Sequence, residues 1–186
     1  IEQDLIRREY GLEKDKYILF LGRRVPEKGL TYLIDAFKNV DTDFKLVIAG
    51  GSSDTDTYTD QIKNMAKDDL RILFTGFVQG KMLEELYSNA YVYVLPSDVE
   101  GMPLSLLEAM SYGNCCLVSD IKEITEVVED KAVIFPKGNV NLLTKKLQFL
   151  CDNKSEVAQY KAQAMEFICG KYNWNSVVNE TVSLYY

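Results

Sequence analysis

Six short apolar runs punctuate the chain, at Tyr17–Gly22, Phe44–Gly50, Arg71–Gly76, Tyr91–Pro96, Cys115–Asp120 and Lys131–Pro136. Most are continuously apolar rather than alternating, the pattern of strands covered on both faces in a parallel sheet. Between them the apolar positions take up helical spacing. Leu30, Leu33, Ile34, Phe37 and Val40 share one face of a helix predicted over Lys28–Val40, and Leu83, Leu86, Tyr87 and Ala90 share another. Thr57–Ala66 carries a fainter helical pattern, whereas Leu104–Ser111 is apolar nearly all round, which predicts a helix packed deep on the sheet. Glu2–Tyr10 reads as a short helix stopped by Gly11, and three helical segments, Asn141–Cys151, Ser155–Cys169 and Trp174–Tyr185, follow the sixth strand.

Strand and helix alternating in this way predict an α/β fold, a doubly wound six-stranded parallel sheet of right-handed crossovers with strand order 3-2-1-4-5-6 and helices at its C-terminal end. With 186 residues, 47% of them hydrophobic, and no repeat or long linker, residues 1–186 read as one domain. The formal net charge of −7 argues against nucleic acid as a partner and requires any anion site to be local. Histidine is absent, so triads and metal sites built on it are excluded. Cys115, Cys116, Cys151 and Cys169 form no C-x-x-C pair, which fits a reduced, cytoplasmic compartment. No apolar run is long enough to span a bilayer and no signal-peptide pattern opens the chain.

In such a sheet ligands bind beyond the carboxyl ends of the strands where the order reverses, here between the first and fourth strands. The first loop, Gly22-Arg23-Arg24-Val25-Pro26-Glu27-Lys28-Gly29, sets three cations around a helix start that disfavours them. Either an anion such as a diphosphate compensates them, or the loop is solvated and partly neutralised by Glu27. It matches neither the G-x-G-x-x-G nor the P-loop spacing, which counts against a dinucleotide redox enzyme. The second loop runs Pro96-Ser97-Asp98-Val99-Glu100-Gly101-Met102-Pro103. Pro103 suits the first helical position and leaves the N–H groups of Leu104 and Ser105 free for a phosphate. Gly101 admits close backbone approach, and Ser97-x-x-Glu100 also matches a capping box. Glu108 lies among Leu106, Leu107, Ala109 and Met110; it either accepts hydrogen bonds from ribose hydroxyls or reaches solvent at the helix edge. Asp54-x-Asp56 falls in a polar stretch that reads as a solubilising loop.

Taken in order, Gly22-Arg23 with Glu27-Lys28-Gly29, Gly76-Phe77-Val78, and Glu100-x7-Glu108 within EGMPLSLLEAMSYG resemble the donor-binding, C-terminal half of the group 1, family 4 retaining glycosyltransferases, whose GT-B fold sets two Rossmann-like domains face to face. The resemblance spans about residues 10–186 and includes the terminal helix from Trp174. It implies that Arg23 and Lys28 bind the diphosphate of a nucleoside-diphosphate sugar, UDP-sugars being favoured over GDP-sugars. It also implies that Glu108 holds the ribose and that Glu100 contacts the transferred sugar, helped by Gly101, Met102, Pro103, Leu104 and Ser105. Gly22 belongs to the same site, and Gly76, Phe77 and Val78 line the base. Arg24 stands where the family usually has an apolar residue, and Pro103 where many members have glycine. The resemblance further implies no metal or other cofactor, an N-terminal acceptor domain absent from this chain, a saccharide or lipid-linked acceptor in polysaccharide biosynthesis, and room for peripheral membrane association of the full-length protein. A nucleotide-sugar-binding module without turnover is the alternative of a different class.

Overall fold

A computed structural model describes residues 1–51 and 56–172. The helix predicted over Trp174–Tyr185 and the residue Asp54 lie outside the described residues. Six parallel strands, β1 (Tyr17–Leu21), β2 (Lys45–Ala49), β3 (Ile72–Gly76), β4 (Val92–Leu95), β5 (Cys115–Ser119) and β6 (Val133–Phe135), form one sheet in the order β3-β2-β1-β4-β5-β6. This is the order read from the alternation. The strands β2, β1, β4 and β5 are almost wholly buried, while the edge strand β3 is half-exposed along its length.

The helices are α1 (Leu5–Tyr10), α2 (Leu30–Lys38), α3 (Asp56–Ala66), α4 (Gly80–Asn89), α5 (Leu104–Ser111), α6 (Lys122–Val128), α7 (Val140–Asp152) and α8 (Lys154–Lys171). Helix α2 packs against α3 and α7, and α5 packs against α8. Leu30, Leu33, Ile34 and Phe37 of α2 are fully buried, each contributing about 1.5–3 kcal/mol of hydrophobic stabilisation. Helix α1 is held from a distance, since the N–H groups of Leu5 and Ile6 donate to Glu85 Oε2 on α4 at 2.8 and 3.0 Å. Gly11, in the left-handed region at φ 60°, ends it as predicted.

The structure corrects two expectations and adds a helix. The helix predicted from Lys28 is broken: Pro26–Lys28 make a single 3-10 turn, and Gly29, at φ 66°, separates it from α2. Helix α5 is not buried all round, because Leu106, Ala109 and Met110 face the core while Leu104 and Glu108 face outward. Helix α6 occupies a segment for which no element is predicted; Ile124, Val127 and Val128 of its seven residues are buried.

Candidate functional site

The two loops meet at the switch point, as β1 pairs with both β2 and β4. Three contacts join them. The N–H of Asp98 donates to the Glu27 carbonyl at 2.8 Å, and Tyr32 Oη donates to Asp98 Oδ2 at 3.0 Å. Gly29 lies so close to Pro96 that a Cβ there would sit 2.1 Å from the Pro96 carbonyl oxygen.

Between the joined loops, Lys28 Nζ lies 2.6 Å from Glu100 Oε1, with 16% and 5% of the two side chains exposed. Ser97, fully buried, donates its hydroxyl to the same Oε1 at 2.6 Å, and its own carbonyl accepts from Ser119 Oγ at 2.6 Å. Ser97 and Glu100 therefore join side chain to side chain and cap no helix, since α5 starts only at Leu104. Glu100 Oε2 has no partner among the described residues, and the ammonium of Lys28 keeps donors to spare. Ser97 was legible in the sequence only as half of a capping box.

Arg23 is exposed, and its guanidinium has no hydrogen-bond or ion-pair partner among the described residues, so it is available to an anion. Glu27 forms no ion pair among them either. Arg24 departs from the solvated reading: it is 8% exposed, and its N–H donates to the Gly51 carbonyl at 3.0 Å. Its buried Nε has no hydrogen-bond partner among the described residues.

Helix α5 also differs in detail from expectation. Pro103 is the cap residue rather than the first helical one, and the Leu104 N–H is taken by the Met102 carbonyl at 2.9 Å. Of the two N–H groups expected to be free, Ser105's alone lacks a partner among the described residues. Two tyrosines that the hydrophobic pattern reads only as core hold this helix. Tyr93 Oη donates to Ser105 Oγ at 2.8 Å and lies 3.3 Å from the Leu21 carbonyl. Tyr87 Oη lies 2.9 Å from Glu108 Oε2 and 3.2 Å from the Ser105 carbonyl. Burial pushes both phenols well above their ordinary pKa, so both remain protonated donors. The available signal was chemical: a buried tyrosine hydroxyl needs a partner, which valine or phenylalanine does not.

On the other side of β1 the glycines form a shelf. The Gly50 N–H donates to the Gly76 carbonyl at 2.8 Å, and a Cβ on Gly50 would lie 2.0 Å from the Gly22 carbonyl oxygen. Phe77 lies beside this shelf with 73% of its surface exposed, and Val78 is half-buried. The structure thus brings together Lys28 and Glu100 in one group, Ser105 and Glu108 through Tyr87 in a second, and Gly22 with Gly76 along the shelf, with Phe77 and Val78 following it.

The family model for glycosyl transferases group 1 matches residues 2–167. The chain belongs to the group 1 glycosyl transferases. Among similar members of this family, an uncharacterised glycosyltransferase of Methanocaldococcus jannaschii is 32% identical over 96% of the chain and 47% of its own length. The O-antigen chain mannosyltransferase B of Escherichia coli is 27% identical over 97% of the chain and 48% of its own length. The group 1 chain therefore spans about half the length of these curated relatives. Its fold matches half of Anabaena HepE, solved in complex with UDP and glucose, at a TM-score of 0.87 and 18% identity over 96% of this chain and 51% of that one. Sucrose-phosphate synthase from Thermosynechococcus elongatus gives 0.83 and 24% over 96% and 47%. The sheet is thus one half of a GT-B fold. No helix among the described residues is long and apolar enough to cross a membrane.

Proposed function

We propose that this chain is the donor-binding half of a retaining glycosyltransferase, which moves a sugar from a UDP-sugar or related nucleoside-diphosphate sugar to a saccharide or lipid-linked acceptor in the cytoplasm. The observation that carries the reading is the buried Lys28–Glu100 pair at the switch point, where Lys28 and Ser97 both engage Glu100 Oε1 and leave Oε2 without a partner among the described residues. Lys28, the free guanidinium of Arg23 and the Ser105 N–H would stabilise negative charge developing on the departing diphosphate, an electrostatic role that needs no metal. Glu100 Oε2 would accept from a hydroxyl of the transferred sugar. Glu108 would accept from the ribose, with the base lying along the shelf from Gly76 to Val78. The relatives support the class of reaction, and HepE, crystallised with UDP, supports the class of donor.

The acceptor would come from a facing domain. Phe77, Val99, Met102 and Leu104 expose apolar side chains around the site, as a surface awaiting cover does. Without that cover, water enters and the acceptor is not oriented. The 186-residue chain should then bind donor yet catalyse at most slow hydrolysis in a radiolabelled-donor assay. Efficient, saturable transfer by this chain alone would overturn the half-enzyme reading.

Calorimetry tests the assignment of roles. Arg23→Ala and Lys28→Ala should each weaken UDP or GDP binding by about 1–3 kcal/mol, because each removes charge-assisted bonds. Glu108→Ala should weaken binding of the bare nucleotide, whereas Glu100→Ala should lose only the increment contributed by the sugar. Unchanged affinity in both cationic variants would sink the site.

A further inference from the structure

From the hydrogen bonds that Tyr87 of α4 makes to α5 we infer that Tyr87 is a positioning residue for Glu108, holding its carboxylate in the orientation that receives a ribose. The inference rests on the proposed ribose role of Glu108. Glu108 is exposed, and a free glutamate on a helix surface samples many rotamers whose loss costs binding energy. Here one oxygen is already engaged: Tyr87 Oη lies 2.9 Å from Oε2, which leaves Oε1 for a ligand.

The prop is itself rigid. Tyr87 is 1% exposed, and its ring stacks on Tyr112, at the far end of α5, with centroids 5.4 Å apart and planes 12° from parallel. Its carbonyl accepts from Asn114 Nδ2 at 2.8 Å. The same hydroxyl lies 3.2 Å from the Ser105 carbonyl in the first turn. One phenol therefore registers α5 at its start, at Glu108 and, through its ring, at Tyr112. Tyr87→Phe keeps the ring, its stack and the Asn114 bond, and removes only the hydroxyl.

The test is calorimetry on the 186-residue chain with UDP and GDP, taking the tighter binder and its 2′,3′-dideoxy counterpart. The proteins are the wild type, Y87F, E108Q and the double variant, each checked for folding by thermal melting. Y87F should weaken the ribonucleotide by about fivefold, the worth of a hydrogen bond that preorganises a charged group. That loss should disappear in the E108Q background and with the dideoxy nucleotide. Equal weakening of both nucleotides, or a loss that persists in E108Q, would show a general structural role and overturn positioning. So would an unchanged affinity in Y87F when E108Q weakens binding. An unchanged affinity in E108Q would instead remove the ribose role itself, and the inference with it.

Discussion

Gly29→Ala isolates what joins the two loops. Gly29 sits at φ 66°, and a Cβ there would lie 2.1 Å from the Pro96 carbonyl oxygen and 3.0 Å from Tyr32 Cδ2. Gly138 provides the control: its φ is 71°, but its nearest neighbour to a Cβ is Tyr32 Cζ at 3.9 Å. Both substitutions carry the left-handed penalty of about 1 kcal/mol. Only the first also drives a methyl roughly 1 Å inside ordinary contact with backbone, for which overpacking data suggest about 1–3 kcal/mol more. Gly138→Ala should therefore lower Tm by about 2–4 °C and Gly29→Ala by roughly 4–16 °C, at 2–4 °C per kcal/mol for a domain of this size. Urea titration with an unchanged slope would confirm that the folded state is what suffers. Because Gly29 follows Lys28 and Pro96 precedes Ser97, separating them stretches the 2.6 Å Lys28–Glu100 pair. UDP affinity measured well below Tm should accordingly fall in Gly29→Ala and hold in Gly138→Ala. Equal destabilisation by the two variants would refute the reasoning, since it would leave the left-handed backbone as the whole effect.

Arg71→Ala should cost about 2–3 kcal/mol in urea unfolding, because the guanidinium donates to the Val40 and Thr42 carbonyls at 2.9 and 3.1 Å and to Asp69 at 2.7 Å. Arg8→Ala, which breaks an exposed pair with Asp4, should cost less than about 0.5 kcal/mol. Burial pushes the Cys115 thiol and the Tyr91 phenol each up to about 12, with ordinary values of 9.0 and 10.0. The folded state thus holds protons that the unfolded chain releases, so this stability is whole below about pH 9 and declines as pH rises towards 12; a urea midpoint flat between pH 8 and 11 would contradict it. Exhaustive EDTA treatment should leave UDP affinity unchanged, since Arg23 and Lys28 supply the proposed charge, and a large loss on chelation would count against that site.

The sheet was legible because its interior strands are apolar without interruption, and the handedness of crossovers leaves few orders for six parallel strands. Helix α6 was not, because two turns with three buried residues offer too short a record for a 3.6-residue period to emerge. Helix α5 misled for the opposite reason. Its apolar residues lie on more than one face, and Leu104 sits outside the core although its chemistry suggests burial. Hydrophobic pattern reports where apolar residues occur in sequence, and a surface meant for a second body carries the same residues as a core. The proposed site residues Arg23, Lys28 and Glu100 stand out as charges in the loops that topology nominates, and Glu108 as a charge among apolar neighbours on the helix that follows. Ser97, Tyr87 and Tyr93 were not, because each passes for core until its hydroxyl is traced to a partner.

The Lys28–Glu100 pair shows why those hidden partners matter. Removing two charges from water is costly, and a buried pair stabilises a fold only when its remaining donors and acceptors are satisfied. Here the account is incomplete: Ser97 and Lys28 both converge on Oε1, while Oε2 and part of the ammonium have no partner among the described residues. A pair serving stability alone would be better replaced by apolar side chains. This one is instead held on a serine whose carbonyl is pinned to the next strand by Ser119, at the point where two loops are locked together. On the proposed reading the unused donors meet the diphosphate and the unused oxygen meets the sugar. Binding then completes a hydrogen-bond set that folding leaves open, without first breaking the ion pair that orients it.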